Sequence, residues 1–303
     1  MRAGGQAATT YSTEMIADRA RELRAARIPF VHAKVVLAER PTSAHPGDEA
    51  LVLADGTMEG FVGGDCAEAT VRAQALAALD SGESVLLRIS PIPEDPVPGK
   101  VMAHNPCLSG GTLEVFLEPH RPAPLVAVVG DSPIARALVV IGAGVGYEVV
   151  AGDDMPDDAS AVIVATHGRD EATPLTNALR AGVGYVGLVA SPKRGASVVA
   201  GLDVDPALAA QVLTPAGLDI GARTPEEVAL SILADIVARR PKPSARSVGD
   251  GATAATTATD PVCGMAVAAV ESSLHLDHDG TRHHFCGTGC LRAFAADPAR
   301  YVH

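Results

Sequence analysis

The sequence predicts an α/β protein in three parts. An N-terminal α+β domain spans residues 1–122. A Rossmann-like domain with a doubly wound parallel sheet spans 123–240. A small C-terminal ββα metal-type module spans 259–303, behind a flexible linker at 241–258. Three observations predict this division. From Pro124 to Arg240, short apolar runs alternate with helix-like runs, the pattern of a parallel sheet covered on both faces. The stretch before it mixes one amphipathic helix with a hairpin signal and further strands. The stretch "PKPSARSVGDGATAATTATD" is small, polar and aperiodic, and it sets off a last segment rich in cysteine and histidine.

In chain order, "STEMIADRARELRAAR" over residues 12–27 places Ile16, Ala20 and Leu23 on one helical face, and Pro29 ends the helix. "VHAKVVLAE" is strand-like. "EALVLADGTMEGFVGG" reads as a hairpin with Asp55-Gly56 as its turn. "DCAEATVRAQALAALDSG" is the helix that follows, stopped by Gly82. "ESVLLRIS" and "GTLEVFLEP" are two more strands. In the second domain "LVAVVG" is a buried strand and "SPIARALVVIGAGVG" a helix. "YEVVAGDD" and "AVIVAT" are strands, "PLTNALRAG" a helix, and "YVGLVA" a fourth strand. "TPEEVALSILADIVARR" closes the domain as a helix, with Thr224 and Glu227 spaced as a capping box.

Composition narrows the function. A formal charge of -12 argues against binding a phosphate backbone, which calls for a basic surface. Tryptophan is absent and aromatics are few, so platforms for stacking bases are not expected. No long apolar run is free of charges or turn signals, so no membrane insertion is expected. "MRAGGQAATTYSTEM" lacks the apolar stretch of a secretory leader. Five unevenly spaced cysteines fit reduced thiols and a cytoplasmic protein.

The most specific spacing is in the tail. Cys263, Cys286 and Cys290 can bring three thiolates to one metal, with His284 as a fourth ligand and His283 or His275 as alternatives. Thiolates suit zinc or copper. A segment this short hardly builds a core alone, and a bound metal would stabilise it. Three cysteines buried in a tiny apolar core is the plainer alternative.

In the second domain "GDSPIA" stands where a dinucleotide-binding turn would be. It offers Gly130 and the backbone amides after it as an anion site, but Ser132 replaces the second glycine. Asp153 and Asp154 end the second strand, where a ribose-binding acid would lie. "GAGVG" at residues 142–146 falls at a helix exit and reads as close packing. His167 and Asp170 follow the third strand. Lys193 and Arg194 follow the fourth and could hold an anionic group such as a phosphate. Asp219 lies between Gly217 and Gly221, before the last helix.

In the first domain Gly63, Gly64 and Asp65 lead into Cys66 at a helix start. There the helix dipole favours thiolate, and the glycines let backbone approach a bulky ligand. Cys107 lies in a second glycine-bearing loop and could fold beside it. A cysteine at such a place is also read as ordinary core.

Two resemblances follow from these motifs. "DPVCGM" with "FCGTGCLRAFAADPARY" is similar to a YHS domain, a module described as a metal binder. "DGTMEGFVGGDCAEA", "GGTLEVFLEP", "YVGLVASPKRG" and "GLDIGARTPEEVALSILADIV" together resemble the XdhC/CoxI family over about residues 13–240. That resemblance implies an accessory factor for a molybdenum hydroxylase such as xanthine dehydrogenase or carbon monoxide dehydrogenase. Such a factor binds the molybdenum cofactor (molybdopterin), assists its sulfuration and delivers it to the apoenzyme. It also implies a homodimer and a cysteine desulfurase as sulfur donor. The chain departs from the family pattern at four places. Asp65 stands in the glycine turn, Leu108-Ser109 follows Cys107, "GDSP" lacks both the second glycine and a histidine, and "VASPKR" replaces a Gly-Ser-Lys/Arg pattern. Two other functions fit the parts: an NAD(P)-dependent oxidoreductase using the second domain, and a metal carrier or sensor acting through the tail.

Overall fold

The structure, a computed structural model, describes residues 12–106, 111–152, 155–240 and 257–302. Cys107, Asp153, Asp154 and most of the expected linker lie outside the described residues. The chain divides into two compact units, Met1–Pro122 with Pro243–His303, and Ala123–Lys242. The tail, expected as a module of its own, therefore packs with the N-terminal domain.

The first unit opens on helix α1 (Thr13–Ala25), capped by the Ser12 hydroxyl, which accepts from the Met15 N–H. Its face of Ile16, Ala20 and Leu23 is buried against Phe30 and Leu51, as the spacing predicts. Strands β1 (Phe30–Ala38), β2 (Glu49–Leu53) and β3 (Met58–Gly60) follow. Gly56 turns the β2–β3 hairpin at φ +81. Helix α2 (Asp65–Ser81) is alanine-rich, which suits a helix lying close on a sheet. Gly82, in the left-handed region, ends it. Strands β4 (Val85–Ser90), β5 (Lys100–His104) and β6 (Leu113–His120) complete a sheet of order β3-β2-β1-β6-β4-β5. Strand β5 was not expected. It is five residues long behind a proline-rich stretch, so it shows no period, and pairing with β4 in parallel is what makes it a strand.

One side chain ties the last three strands together. Glu114 on β6 is buried and accepts from Arg88 Nη1 on β4 at 2.9 Å and Lys100 Nζ on β5 at 2.5 Å. The Lys100 hydrogen bond, more than the burial opposing it, holds the Glu114 carboxyl below its ordinary range. A lowered folded pKa stabilises the native state above the unfolded value of about 4.3. That contribution is lost as pH falls through the folded value. Glu114→Gln is expected to cost about 1–3 kcal/mol at neutral pH, because it leaves buried charge poorly matched. It should also flatten the acid side of the stability curve. Denaturant melts of both proteins across acid pH check this, and parallel curves would count against it.

In the second unit, strands β7 (Leu125–Val129), β8 (Glu148–Gly152), β9 (Ala161–Val164), β10 (Tyr185–Leu188) and β11 (Val212–Leu213) form a sheet of order β11-β10-β9-β7-β8. All of its pairings are parallel. Helices α3 (Pro133–Gly144), α4 (Ala172–Arg180), α5 (Pro192–Ala200), α6 (Pro206–Ala209) and α7 (Pro225–Arg239) connect or follow them. Alternate residues of β7 enter two cores: Val126 and Val128 pack with α3 and α7, Ala127 and Val129 with α4. The sheet is thus covered on both faces, as the alternating pattern requires. Helix α5 is not among the elements the sequence predicts. Ser191 caps it and Pro192 occupies its first turn, a start signal hidden inside "SPKRG".

The tail holds two antiparallel pairs and a helix. Strands β12 (Thr257–Thr259) and β13 (Ala266–Ala268) form one pair, β14 (His275–His278) and β15 (Thr281–His284) the other, and α8 spans Thr288–Ala296. Its core is aromatic: Phe294 packs against His278, His283, Phe285 and Tyr301. The tail meets the N-terminal domain through an apolar cluster, Ala69 of α2 with Met265 and Val267, and through polar contacts. Ser272 Oγ donates to the Asp55 carbonyl at 3.0 Å, and Thr288 Oγ1 donates to Asp65 Oδ2 at 3.1 Å.

A candidate sulfur cluster beside a glycine-lined cavity

The start of α2 is built by two glycines. Gly63 has φ +139, and a Cβ there would sit 3.0 Å from the Ala67 Cβ. Gly64 is the N-cap, with nothing within 4 Å of where a Cβ would lie. Asp65 turns its carboxylate to the start of α8, where the Thr288 N–H and hydroxyl both donate to it. Cys66, in the first turn of α2, is half-buried, and its Sγ lies 3.8 Å from that of Cys286.

Cys286 is buried and central. Its Sγ lies 3.6 Å from Cys263 and 3.6 Å from Cys290. The ligand atoms of Asp260, Cys263, Cys286 and Cys290 all fall within 4.8 Å of one another. Cys290 is in the first turn of α8, so two helix N-termini open beside these sulfurs, where the dipole favours negative charge. The Cys263 thiol is pulled down to about 7, first by the hydrogen bond from Cys286. Cys286 is pushed up, first by its hydrogen bonding with Cys263, then with Cys66, and by burial. Cys290 is pushed up to about 12, mainly by burial.

Asp260 takes the place near the thiols that His284 was expected to fill. Its carboxylate is 0% exposed; Oδ1 accepts from the Val262 N–H and Oδ2 from the Cys286 N–H, each at 2.8 Å. His284 is buried on β15, tilted against His275, and its Nδ1 has no hydrogen-bond partner among the described residues. His283 packs on Phe294. Three soft thiols beside a carboxylate are a donor set that fits zinc or copper.

Cys66 also lines a cavity of about 780 Å³, together with Arg40, Thr42, Gly64, Asn105 and Thr288. Arg40 is exposed and brings positive charge to it. The cavity and the sulfur cluster therefore share one residue.

In the second unit, Gly130, Ser132 and His167 lie beyond the carboxyl ends of β7 and β9. The strand order reverses there, which is where ligands bind in such sheets. Gly130 has φ +110, and a Cβ would meet the Ala165 carbonyl oxygen at 2.7 Å. Ser132 is buried, and its hydroxyl caps α3 by accepting from the Ala135 N–H. His167 is exposed, with φ 55. Arg169 pairs with Asp131 across the same edge at 3.1 Å. Arg194 donates to Glu171 and to the Val189 carbonyl, so its charge is matched within the loops, while Lys193 beside it is exposed. Asp219 is exposed and accepts from the Gly221 N–H.

Family comparison decides the kinship. The model of the XdhC and CoxI family matches residues 23–90, that of the XdhC Rossmann domain residues 126–236, and that of the YHS domain residues 258–303. The chain thus carries an XdhC- and CoxI-type segment and an XdhC-type Rossmann domain, with a YHS domain after them. It is similar to the uncharacterized protein YqeB of Escherichia coli K12, at 26% identity over 253 residues. The match takes in 72% of this chain but 45% of YqeB, so the chain spans under half of that relative's length. A crystal structure described as a xanthine dehydrogenase from Bacillus halodurans matches at 18% identity and a TM-score of 0.36, covering 75% of this chain and 97% of that one.

For this XdhC-type chain, sequence reasoning missed Asp260, Arg40 and Asn105. Asp260 carried a signal: an aspartate before proline in "DPVCG" is a turn former whose side chain bonds the backbone two residues on. Arg40 and Asn105 sit in segments without a motif. The sequence also left Cys66 and the tail cysteines in separate sites.

Proposed function

We propose that this chain is an accessory factor for a molybdenum hydroxylase, one that holds the molybdenum cofactor, assists its sulfuration and hands it to the apoenzyme. The two XdhC-type matches support the accessory role. The observation that carries the finer reading is Cys66 on its glycine turn, a soft sulfur at a helix N-terminus opening on a cavity of about 780 Å³. Cofactor pockets run from about 300 to 1,000 Å³. The lining fits the group: sulfur for molybdenum, the Arg40 guanidinium for a phosphate, and open backbone at Gly64 for a flat ring. The bound cofactor would supply a molybdenum centre able to take a terminal sulfur. The residues of this chain bind it, orient it and keep water away. A cysteine desulfurase as sulfur donor, a second sulfur from Cys107 and a homodimeric working form belong to the same proposal.

The NAD(P)-dependent alternative has less support. The Ser132 hydroxyl is used as a helix cap, and Gly130 is packed on Ala165.

The test is retention of cofactor. The full chain and Cys66→Ala are purified anaerobically from a host that makes molybdopterin, and molybdenum and pterin are quantified. Cys66→Ala is expected to retain about tenfold less, the scale on which a lost metal contact acts. Equal retention, with equal activation of the client enzyme, would overturn the role of Cys66.

A further inference from the structure

We propose that Cys66 completes a four-thiolate site for a soft divalent cation of the zinc class, with Cys263, Cys286 and Cys290 as the other three ligands. The site joins the XdhC-type N-terminal domain to the YHS tail. The proposal goes beyond the accessory reading and does not rest on it.

Geometry is the first argument. Four sulfurs held about 2.3 Å from one tetrahedral ion stand about 3.8 Å from each other. Cys286 Sγ lies 3.8 Å from Cys66, 3.6 Å from Cys263 and 3.6 Å from Cys290. Three edges of the tetrahedron thus have the right length, and all three meet at Cys286. The second argument is exclusion of the other donors. Both oxygens of Asp260 accept backbone N–H groups, so this carboxylate, although an oxygen of it falls within 4.8 Å of the three tail thiols, is already engaged in ordering the Cys286 loop, and Cys66 is the further sulfur in reach of Cys286. His284 is turned to His275 on its hairpin. The third is electrostatic. Four thiolates around a dication keep net negative charge, and α2 and α8 both begin at these sulfurs with their positive ends. The fourth is placement: the contacts of Asp65 with Thr288 and of Ser272 with Asp55 fix the tail where Cys66 meets Cys286.

Each thiol gives its proton to the buffer as its sulfur–metal bond forms, and no electron moves. One consequence concerns the neighbouring cavity. Cys66 Sγ serves the ion or a cavity ligand, so the two occupants compete for it.

The test uses the full chain without any molybdenum cofactor, so its failure and that of the accessory reading are distinguishable. The reduced protein is stripped of metal anaerobically and titrated with cobalt(II), then zinc(II). One cobalt per chain is expected, with tetrahedral ligand-field bands and strong sulfur-to-cobalt charge transfer, displaced by zinc. Cys66→Ser should lower the charge-transfer band by about a quarter, one sulfur of four, and weaken zinc binding at least about tenfold. Cys66→His should restore affinity while the band stays lowered, which a merely structural cysteine would not do. A Cys66→Ser protein with an unchanged band and unchanged zinc affinity would overturn the proposal. So would a wild-type chain that takes up no cobalt, or one that takes only copper(I) and shows no tetrahedral cobalt form.

Discussion

Asp260→Ala is expected to unfold the tail while leaving the XdhC Rossmann domain intact. The Asp260 carboxylate is fully buried and is the acceptor for two backbone N–H groups, those of Val262 and Cys286. The first stands in the turn before Cys263, the second in the link between β15 and α8. One side chain thus sets the spacing of two cysteine-bearing loops. Without it the buried Cys286 donor is left unmatched, at about 1–3 kcal/mol, and the half-buried Val262 donor loses its partner at a smaller cost. A module this short has little apolar burial to offset that. Asp260→Asn keeps one acceptor oxygen and should fall between. Thiol titration of the native, metal-stripped chain reads the outcome directly. In the wild type, Cys286 at 3% exposure should react slowly with a bulky disulfide reagent. In Asp260→Ala it should react as fast as an unfolded thiol. Slow Cys286 in the variant, with an unchanged melting curve, would show that the loops are held by something else.

Much of this fold is local, and that part was legible. Ser12 and the Thr224–Glu227 box declare helix starts, and Gly82 declares a stop, because each acts within one turn of the chain. Apolar runs of four or five residues betray β7, β9 and β10, whose side chains are buried on both faces. Strand β5 and helix α5 were missed for opposite reasons. The first draws its identity from a partner strand, the second from a cap that also reads as a loop. The site divides the same way. Cys263, Cys286 and Cys290 announce themselves by spacing, since a turn and a helix start bring them together. Cys66 lies 220 positions from Cys286, and nothing near it records that the tail docks there. Docking depends on Ala69 of α2 packing with Met265 and Val267 of the tail, on a few polar contacts and on Gly56, where a Cβ would press on Val270 and Ser272 at 2.7 Å. Those contacts are silent in a single sequence, because serine, threonine and glycine at turns need no tertiary reason.

The cavity can be separated from the fold by two glycines that behave oppositely. At Gly111 a Cβ would lie 1.8 Å from the Glu39 carbonyl oxygen and 2.7 Å from that of Pro41. Both are backbone atoms, and Glu39 is anchored by donating its N–H to the Thr112 carbonyl at 2.8 Å, so rotamer changes give no relief. Gly111→Ala is therefore expected to cost about 4 kcal/mol or more, the range reserved for forced backbone displacement. It should also move the wall formed by Arg40 and Pro41. Gly64 lines the same cavity, yet a Cβ there meets nothing within 4 Å and its φ of -73 suits alanine. Gly64→Ala is expected to change stability by less than about 1 kcal/mol, gaining a little from a less flexible unfolded chain. Its new methyl group stands where the backbone was open to a ligand. Denaturant midpoints of the two variants should thus separate widely, while both lose cofactor retention, Gly111→Ala through a broken wall and Gly64→Ala through a filled space. A stable Gly64→Ala protein that keeps wild-type molybdenum and pterin would mean that the cofactor does not approach the glycine turn. Cys66 would then be left to the sulfur cluster alone.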